Sequence, residues 1–341
     1  MSKDTVLVTG ATGYLGNYVV LKLLESGYIV RASVRDLSKE KQLRESFVAS
    51  SNKSTEEIVK DNLSVFEADI TSDANWSEHF DGVKYVLHTA SPVSLGPDAT
   101  TEDYIKPAKA GTLRILKFAN EAPSVKHVVL TSSLAAVYTG KDANTPENPY
   151  TDDDWTDIEK AGPDQSYSIS KTVAEKEAWK YVEGKRFTLT VINPAFIFGE
   201  PLKNGTGFSP SLTIIVKQLD GTWEDGAPQI FVNGVDVNDV AQIHVDALTN
   251  PRAVGQRFII HTGETYDTLE IANFLRSELT EEEGKKLPTK LLDVPEEKRR
   301  KKRYSSSKKA QEVFNWHPTS FKDAILRTAK DYLANEKAKA T

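Results

Sequence analysis

Short β-branched and aliphatic runs alternate along this chain with longer stretches whose apolar positions recur at helical spacing. The short runs predict strands at Thr5–Thr9, Tyr28–Val34, Leu63–Glu67, Tyr85–His88, His127–Thr131, Phe187–Ile192 and Phe258–His261. Between the first two lies "NYVVLKLLESG". Its Val19, Val20, Leu23 and Leu24 fall on one helical face, and Gly27 is placed to end that helix. Repeated strand–helix–strand units predict an α/β fold, a doubly wound parallel sheet of about seven strands with helices on both faces. The strands are nearly continuous apolar runs, as expected when both faces of a sheet are covered.

After Asn193 the alternation breaks. Residues 196–232 are rich in Gly, Pro and aromatics, and residues 264–341 read as helices with loops. The expected organisation is a nucleotide-binding domain over residues 1–195, completed by about 233–263. A smaller, mostly helical substrate-binding lobe over 196–232 and 264–341 would lie at the sheet's carboxyl edge, where ligands of such sheets bind.

The first strand runs into "TGATGYLG", with Gly10, Gly13 and Gly16 three apart and a helix beginning at once. Glycines there permit a tight turn and let backbone N–H groups approach a pyrophosphate, while the helix N-terminus adds positive potential. Set between a first strand and a first helix, the pattern is that of a Rossmann-type dinucleotide site, with Thr12, Tyr14 and Leu15 supplying the intervening backbone. The end of the second strand selects the cofactor. A carboxylate there grips the ribose 2′-hydroxyl of NAD. This chain has "VRASVRD", with small Ser33 at the expected acidic position, Arg35 two residues on and Lys39 beyond. A guanidinium can hold a 2′-phosphate through paired hydrogen bonds, so NADPH is expected; Asp36 is read as a charge balancing Arg35. Asp69, with Ile70 after it, follows the third strand, where a carboxylate could accept from an adenine amino group or simply cap a turn. "LHTASP" ends the fourth strand, and its Thr89, Ala90 and Ser91 would let backbone lie against the cofactor.

Tyr-x-x-x-Lys, a spacing suited to acid catalysis, occurs four times: Tyr18/Lys22, Tyr167/Lys171, Tyr181/Lys185 and Tyr304/Lys308. The first pair lies inside the first helix, pointing away from any nicotinamide. The third straddles a helix end at Gly184, and the fourth follows a basic run far past the sheet. Tyr167 and Lys171 open the helix "SYSISKTVAEKEAWKYV" and share one face of it. They also follow a fifth strand whose end carries the hydroxyls of "LTSSLAAV", Ser132 and Ser133.

Gly-x-x-Gly-x-x-Gly, "VRASVRD", "LTSS" and "YSISK" together resemble the extended short-chain dehydrogenase/reductases. "LHTASP", "APSVKHVVLTSSLAAV", "INPAFIFGE", "VDVNDVAQIHVDAL" and "SSSKKAQEVFNW" extend the resemblance to nearly the whole chain. It points to fungal NADPH-dependent methylglyoxal and carbonyl reductases and to plant dihydroflavonol and cinnamoyl-CoA reductases. The resemblance implies a catalytic triad of Ser133, Tyr167 and Lys171, with Ser132 structural or near the cofactor. It also implies that Pro194 lies beside the nicotinamide, with backbone of Ala195 and Phe196 near the carboxamide. The chain departs from the family's common "FGP" with Glu200 in "FGEP". In the implied chemistry Tyr167 donates a proton to the carbonyl oxygen as hydride arrives, Ser133 holds that oxygen, and Lys171 acidifies the phenol. Candidate pocket residues are Val93, Ser133, Leu134, Tyr138, Phe196 and Phe198, with Phe231 a secondary candidate. Either they line a mostly apolar pocket for a small aldehyde or ketone, or they pack the lobes together.

Charge and composition narrow the partners. The net charge of −6 argues against nucleic acid and anionic membranes, and no apolar run is long enough to span a bilayer. The absence of cysteine removes disulfides, thiolate metal sites and cysteine nucleophiles, and the six histidines lack ligand spacing, so no metal is expected. "KRRKKR", Lys298 to Arg303, is preceded by acidic stretches and reads as a solvated loop. A cytoplasmic monomer or homodimer acting on a small carbonyl compound is the expectation. The alternatives are a sugar-nucleotide epimerase or dehydratase on the same fold, and a dinucleotide-sensing interaction protein.

Overall fold

The computed structural model of the chain describes residues 3–340 apart from 52, 54, 92–98, 206, 208, 296–298 and 300. The main sheet is built from β1 (Thr5–Thr9), β2 (Ile29–Val34), β3 (Leu63–Glu67), β4 (Tyr85–His88), β5 (His127–Thr131), β6 (Thr188–Pro194) and β9 (Arg257–Ile260). Its order is β3-β2-β1-β4-β5-β6-β9 and every pairing is parallel. The order reverses between β1 and β4, which puts the ligand crevice of such a sheet outside the carboxyl ends of those two strands. β6 runs two residues past the predicted Ile192. Pro194, which lacks an N–H, is accommodated at the strand's last position, where its carbonyl accepts from Leu134 N at 2.9 Å.

Strand residues alternate between two cores. Val6 and Val8 face α1 (Tyr14–Glu25) and α8 (Val237–Ala247), while Leu7 faces α4 (Thr101–Glu121) and α6 (Ser166–Val182). Both sets are fully buried, which is why the strands read as unbroken apolar runs. α1 ends as expected, with Gly27 at a φ of +82°. α2 (Glu40–Ser50) and α3 (Glu56–Asn62) connect β2 to β3, and the short α5 (Ala135–Tyr138) follows β5.

The segment after β6 holds structure that the pattern did not separate. β7 (Phe196–Phe198), β8 (Phe231–Asp236) and β10 (Thr265–Asp267) form a second sheet, ordered β10-β8-β7, with β7 parallel and β10 antiparallel to β8. Around it lie α7 (Thr213–Leu219), α9 (Thr268–Glu278), α10 (Glu281–Gly284) and α12 (Phe321–Ala340), while α11 (Lys308–Phe314) packs on β9 and α8. Phe321 of α12 sits against β8 at Gly234, where a Cβ would come within 1.8 Å of its ring. The end of the basic run is pinned rather than free in solvent: Arg303 Nε donates to Lys141 O at 2.9 Å and Lys302 Nζ to Thr265 O at 2.8 Å. Lys298 and Arg300 fall outside the described residues. Among the described residues no helix is long and apolar enough to cross a membrane.

Candidate active site

Three glycines shape the turn between β1 and α1. Gly10 has a φ of +74° and lies so close to Ala90 that a Cβ would sit 2.9 Å from that residue's Cα. Gly16 packs on the turn itself, where a Cβ would fall 2.0 Å from Gly10 O. Gly13 caps α1 without a side-chain hydrogen bond, and the first turn carries no acidic residue, so its N–H groups and positive potential are left for an anion. Asn17, missed in the sequence reading, clamps the turn by donating from Nδ2 to Ala11 O at 2.6 Å and Gly13 O at 3.0 Å. Tyr14 turns its ring into the core and donates to Gly199 O at 2.8 Å, and Leu15 packs on the same core, so both offer the turn backbone only.

At the end of β2, Ser33 is buried, while Arg35 and Lys39 are exposed. Asp36 does not pair with Arg35 as expected. It turns back to accept from Ser38 N at 2.9 Å, and bonds to Ser38 hold its carboxyl below the usual range. Asp69 likewise accepts from Thr71 N at 2.7 Å and Thr71 Oγ1 at 2.8 Å; these bonds, with a smaller contribution from Arg35, lower its carboxyl. Ile70 lies against Gly111 of α4. Thr89 Oγ1 donates to Thr9 O at 2.6 Å, locking the end of β4 to β1.

The candidate triad comes together at the carboxyl edge. α6 starts at Ser166, whose Oγ lies 2.8 Å from Thr101 Oγ1 at the start of α4. Tyr167 is half-buried, and Ser133, which leaves the end of β5, is near enough to act on its hydroxyl. Lys171, one turn on, is 7% exposed, with Nζ 3.4 Å from Thr131 O and 5.9 Å from the Tyr167 ring centroid. Burial raises the Tyr167 hydroxyl, and Ser133 opposes it. Burial pushes the Lys171 ammonium down to about 8, with Glu175 acting against that fall. Acidification of the phenol by Lys171 was expected; burial of both groups dominates instead. Lys171 and Ala90 line the same small cavity, and Ala90 touches Gly10, so the triad adjoins the glycine turn.

The other pairs are placed otherwise. Tyr18 is buried in the core and donates to Glu200 O at 2.7 Å; burial pushes its hydroxyl upward, and Glu200 and Asp236 add to the shift. Lys185 folds over the Tyr181 ring at 5.2 Å, past the end of α6. Tyr304 N is bonded to Asn144 Oδ1 at 2.8 Å.

Behind the triad lies a polar network that sequence reasoning did not find. Glu175, fully buried on α6, accepts from Ser132 Oγ at 2.6 Å, Asn193 Nδ2 at 2.8 Å and Arg257 Nε at 2.7 Å. The i+4 spacing from Lys171 was visible; its partners on β6 and β9 were not. The pocket candidates divide. Phe196 is 37% exposed, and Tyr138 is half-buried with its hydroxyl 3.5 Å from Asn233 Oδ1. Leu134 packs with Val137 and Ile259, and Phe198 is fully buried against Phe321, so these two belong to the core rather than to an open pocket. Phe231 is half-buried on β8. Ala195 N is already engaged by Ile260 O at 3.0 Å. Val93 lies outside the described residues. Glu200, the departure in "FGEP", is held by Arg327 Nε of α12 at 2.6 Å.

A glycine turn at the switch point, with a serine, a tyrosine and a buried lysine beside it, defines a dinucleotide-dependent oxidoreductase of Rossmann type. Residues 8–248 match the NAD-binding family model described as "male sterility protein". The cinnamoyl-CoA reductase of Medicago truncatula is 33% identical over 278 residues, covering 80% of each chain. The NADPH-dependent methylglyoxal reductase of Saccharomyces cerevisiae is 32% identical over 286 residues, covering 79% of this chain and 82% of the relative. The crystal structure of yeast methylglyoxal/isovaleraldehyde reductase complexed with NADPH has a TM-score of 0.84 at 26% identity, covering 98% of this chain and 99% of that one. The chain belongs to the extended short-chain dehydrogenase/reductase family.

Proposed function

We propose that the protein reduces small aldehydes and ketones of the methylglyoxal type to alcohols, with NADPH as cofactor and Tyr167 as proton donor. The observation that carries this reading is the convergence of Ser133 and Tyr167 at the carboxyl edge, with Lys171 buried one helical turn from the tyrosine and lining the cavity that adjoins the glycine turn. The cofactor fits the residues present. Gly10, Thr12, Gly13, Tyr14, Leu15 and Gly16 form the phosphate turn, where added Cβ atoms at Gly10 and Gly16 would collide with backbone. Arg35, with Lys39 beyond, offers an exposed guanidinium for a 2′-phosphate, since Asp36 is engaged elsewhere. Asp69 and Ile70 would border the adenine. Thr89, Ala90, Ser91, Ser132, Pro194, Ala195 and Phe196 would border the nicotinamide half. The similarity to a yeast reductase complexed with NADPH supports the same choice.

NADPH, when bound, would supply the hydride for the carbonyl carbon. As the C=O π bond breaks, Ser133 donates a hydrogen bond to the oxygen and Tyr167 transfers its proton there. The phenolate that remains is stabilised by the Lys171 ammonium and regains a proton from solvent, leaving alcohol and NADP. The lobe formed by 196–232 and 264–341 closes the carboxyl edge, with Tyr138 and Phe196 as candidates for contact with the substrate.

The test is a carbonyl panel of methylglyoxal, branched aldehydes and aryl ketones, run separately with NADPH and NADH. Stoichiometric NADPH consumption is expected, and no consumption with any member overturns the reading. Tyr167→Phe should lose about 10²–10⁴-fold in kcat while still binding NADPH. A variant retaining more than about a tenth of the rate removes Tyr167 from the role.

A further inference from the structure

Glu175 is fully buried, yet its carboxylate is saturated by groups from three other segments. Oε2 accepts from Ser132 Oγ at 2.6 Å, Asn193 Nδ2 at 2.8 Å and Arg257 Nη2 at 3.2 Å; Oε1 accepts from Arg257 Nε at 2.7 Å. The same Asn193 Nδ2 donates to Ser133 O at 3.1 Å. The carboxylate therefore grips both residues of the serine pair, Ser132 through its hydroxyl and Ser133 through the asparagine. Arg257 is itself fixed, stacked 3.7 Å from the Trp155 ring centroid and bonded to Asp152 O at 2.9 Å and Asp154 O at 2.6 Å. Nothing in the proposed chemistry needs a buried ion pair at this depth. Such pairs seldom add net stability over apolar packing, so its placement asks for another reason.

The reason is what stands next to it. Tyr167, Lys171 and Glu175 follow one another at four-residue steps on one face of α6. A cavity of about 10 Å³ has Ser91, Thr112, Ser132, Lys171 and Glu175 in its lining. That is room for about one water molecule. We propose that Glu175, secured by Arg257, is a positioning residue that fixes the Ser132–Ser133 segment against Tyr167 and keeps a negative charge one turn behind Lys171. Without that charge a buried ammonium loses its one opposing influence; Glu175 is the group that counters the burial of Lys171. The other titratable and charged groups around the lysine are Tyr167 on α6, His88 on β4 and Arg257 on β9, while α4 contributes neutral Thr112.

The inference deepens the reductase reading but can be tested apart from it. The ε-methylene signal of Lys171 in ¹³C-lysine-labelled, cofactor-free protein, assigned by its loss in Lys171→Arg, reports the ammonium titration whether or not any carbonyl is reduced. Glu175→Gln should lower that midpoint by about one pH unit, and Glu175→Asp, which keeps the charge, should restore most of it. In the same Gln variant kcat should fall about tenfold, with its basic limb shifted the same way. Ser132→Ala removes the hydroxyl bond and keeps the charge, so its midpoint should stay put while kcat drops by about threefold or more. Should Glu175→Gln strand Arg257 and fail to fold, the double variant E175Q/R257M, which also removes the guanidinium that has lost its carboxylate, gives the same readout. A folded Gln variant with an unmoved Lys171 midpoint overturns the charge role, and full kcat in Ser132→Ala overturns the positioning role.

Discussion

Arg35 leaves β2 with its guanidinium in solvent because the acid beside it is occupied. Asp36 accepts from Ser38 N and starts a short turn of helix instead of pairing with the arginine. In the proposed reading this cation, which Asp36 does not pair, holds the 2′-phosphate. Arg35→Ser should therefore cost NADPH about 1.5–3 kcal/mol of binding, about 10–150-fold in Kd, and leave NADH nearly unchanged. Fluorescence titration of the two cofactors checks this, and equal losses for both would take Arg35 away from the phosphate. The exposed place of Arg35 after β2 could be read from the sequence because it depends on a position in a repeating strand–turn unit. The placement of Tyr167 and Lys171 was legible for the same reason: four pairs shared the spacing, and one lay at a strand's carboxyl end beside two serines. Glu175 was half legible, its helical face evident and its purpose not. Arg257, 82 residues away in sequence, and Asn193 were not, since long-range pairing leaves no local pattern.

At the scale of elements, what could be read was whatever buries apolar residues at a regular period. β1, β3, β4 and β5 fall where the runs placed them, and α6 spans the quoted helix end to end. The second sheet was hidden because β7 and β10 are three residues each, too short to show alternation, and β8 carries asparagine and glycine where an apolar residue would have marked it. That glycine has a packing reason. Gly234 faces Phe321 of α12, whose ring also lies 5.5 Å from Phe198 and 5.7 Å from Tyr266 between centroids. A ring so hemmed in cannot step aside for a methyl group 1.8 Å away. Gly234→Ala should cost about 2–3 kcal/mol of stability, read as a lowered urea midpoint at unchanged slope. A loss below about 0.5 kcal/mol would mean that α12 is free to shift on the small sheet.

For the whole molecule, four histidines set a limit in acid. His88, His127, His244 and His261 are buried at 4% exposure or less, and burial pushes them down to about 3, 4, 4 and 4 respectively. Burial holds the rings neutral, against hydrogen bonds to His127, His244 and His261 that act the other way. His244 donates from Nδ1 to Val240 O at 2.7 Å, and His261 Nδ1 accepts from Gly263 N at 2.8 Å. In the unfolded chain these rings take up protons near pH 6.5, whereas in the folded chain they resist until about 4 or below. Stability is therefore intact above about pH 6.5 and is lost as pH falls toward 4, because the unfolded state binds the extra protons. Each proton is worth about 1.4 kcal/mol per pH unit, so four approach about 5 kcal/mol per unit near pH 5, against a total stability of about 5–15 kcal/mol. Burial raises the carboxyls of Asp152 and Asp236, which acts in the opposite sense and softens the slope. Urea unfolding at pH 7, 6 and 5 should show midpoints falling with increasing steepness. His127→Gln, on β5 with its ring bonded to Thr188 and Thr190, should remove about one proton from that slope. A midpoint constant from pH 7 to 5 would mean that the four rings already carry their charge in the fold, and that their burial is relieved by solvent.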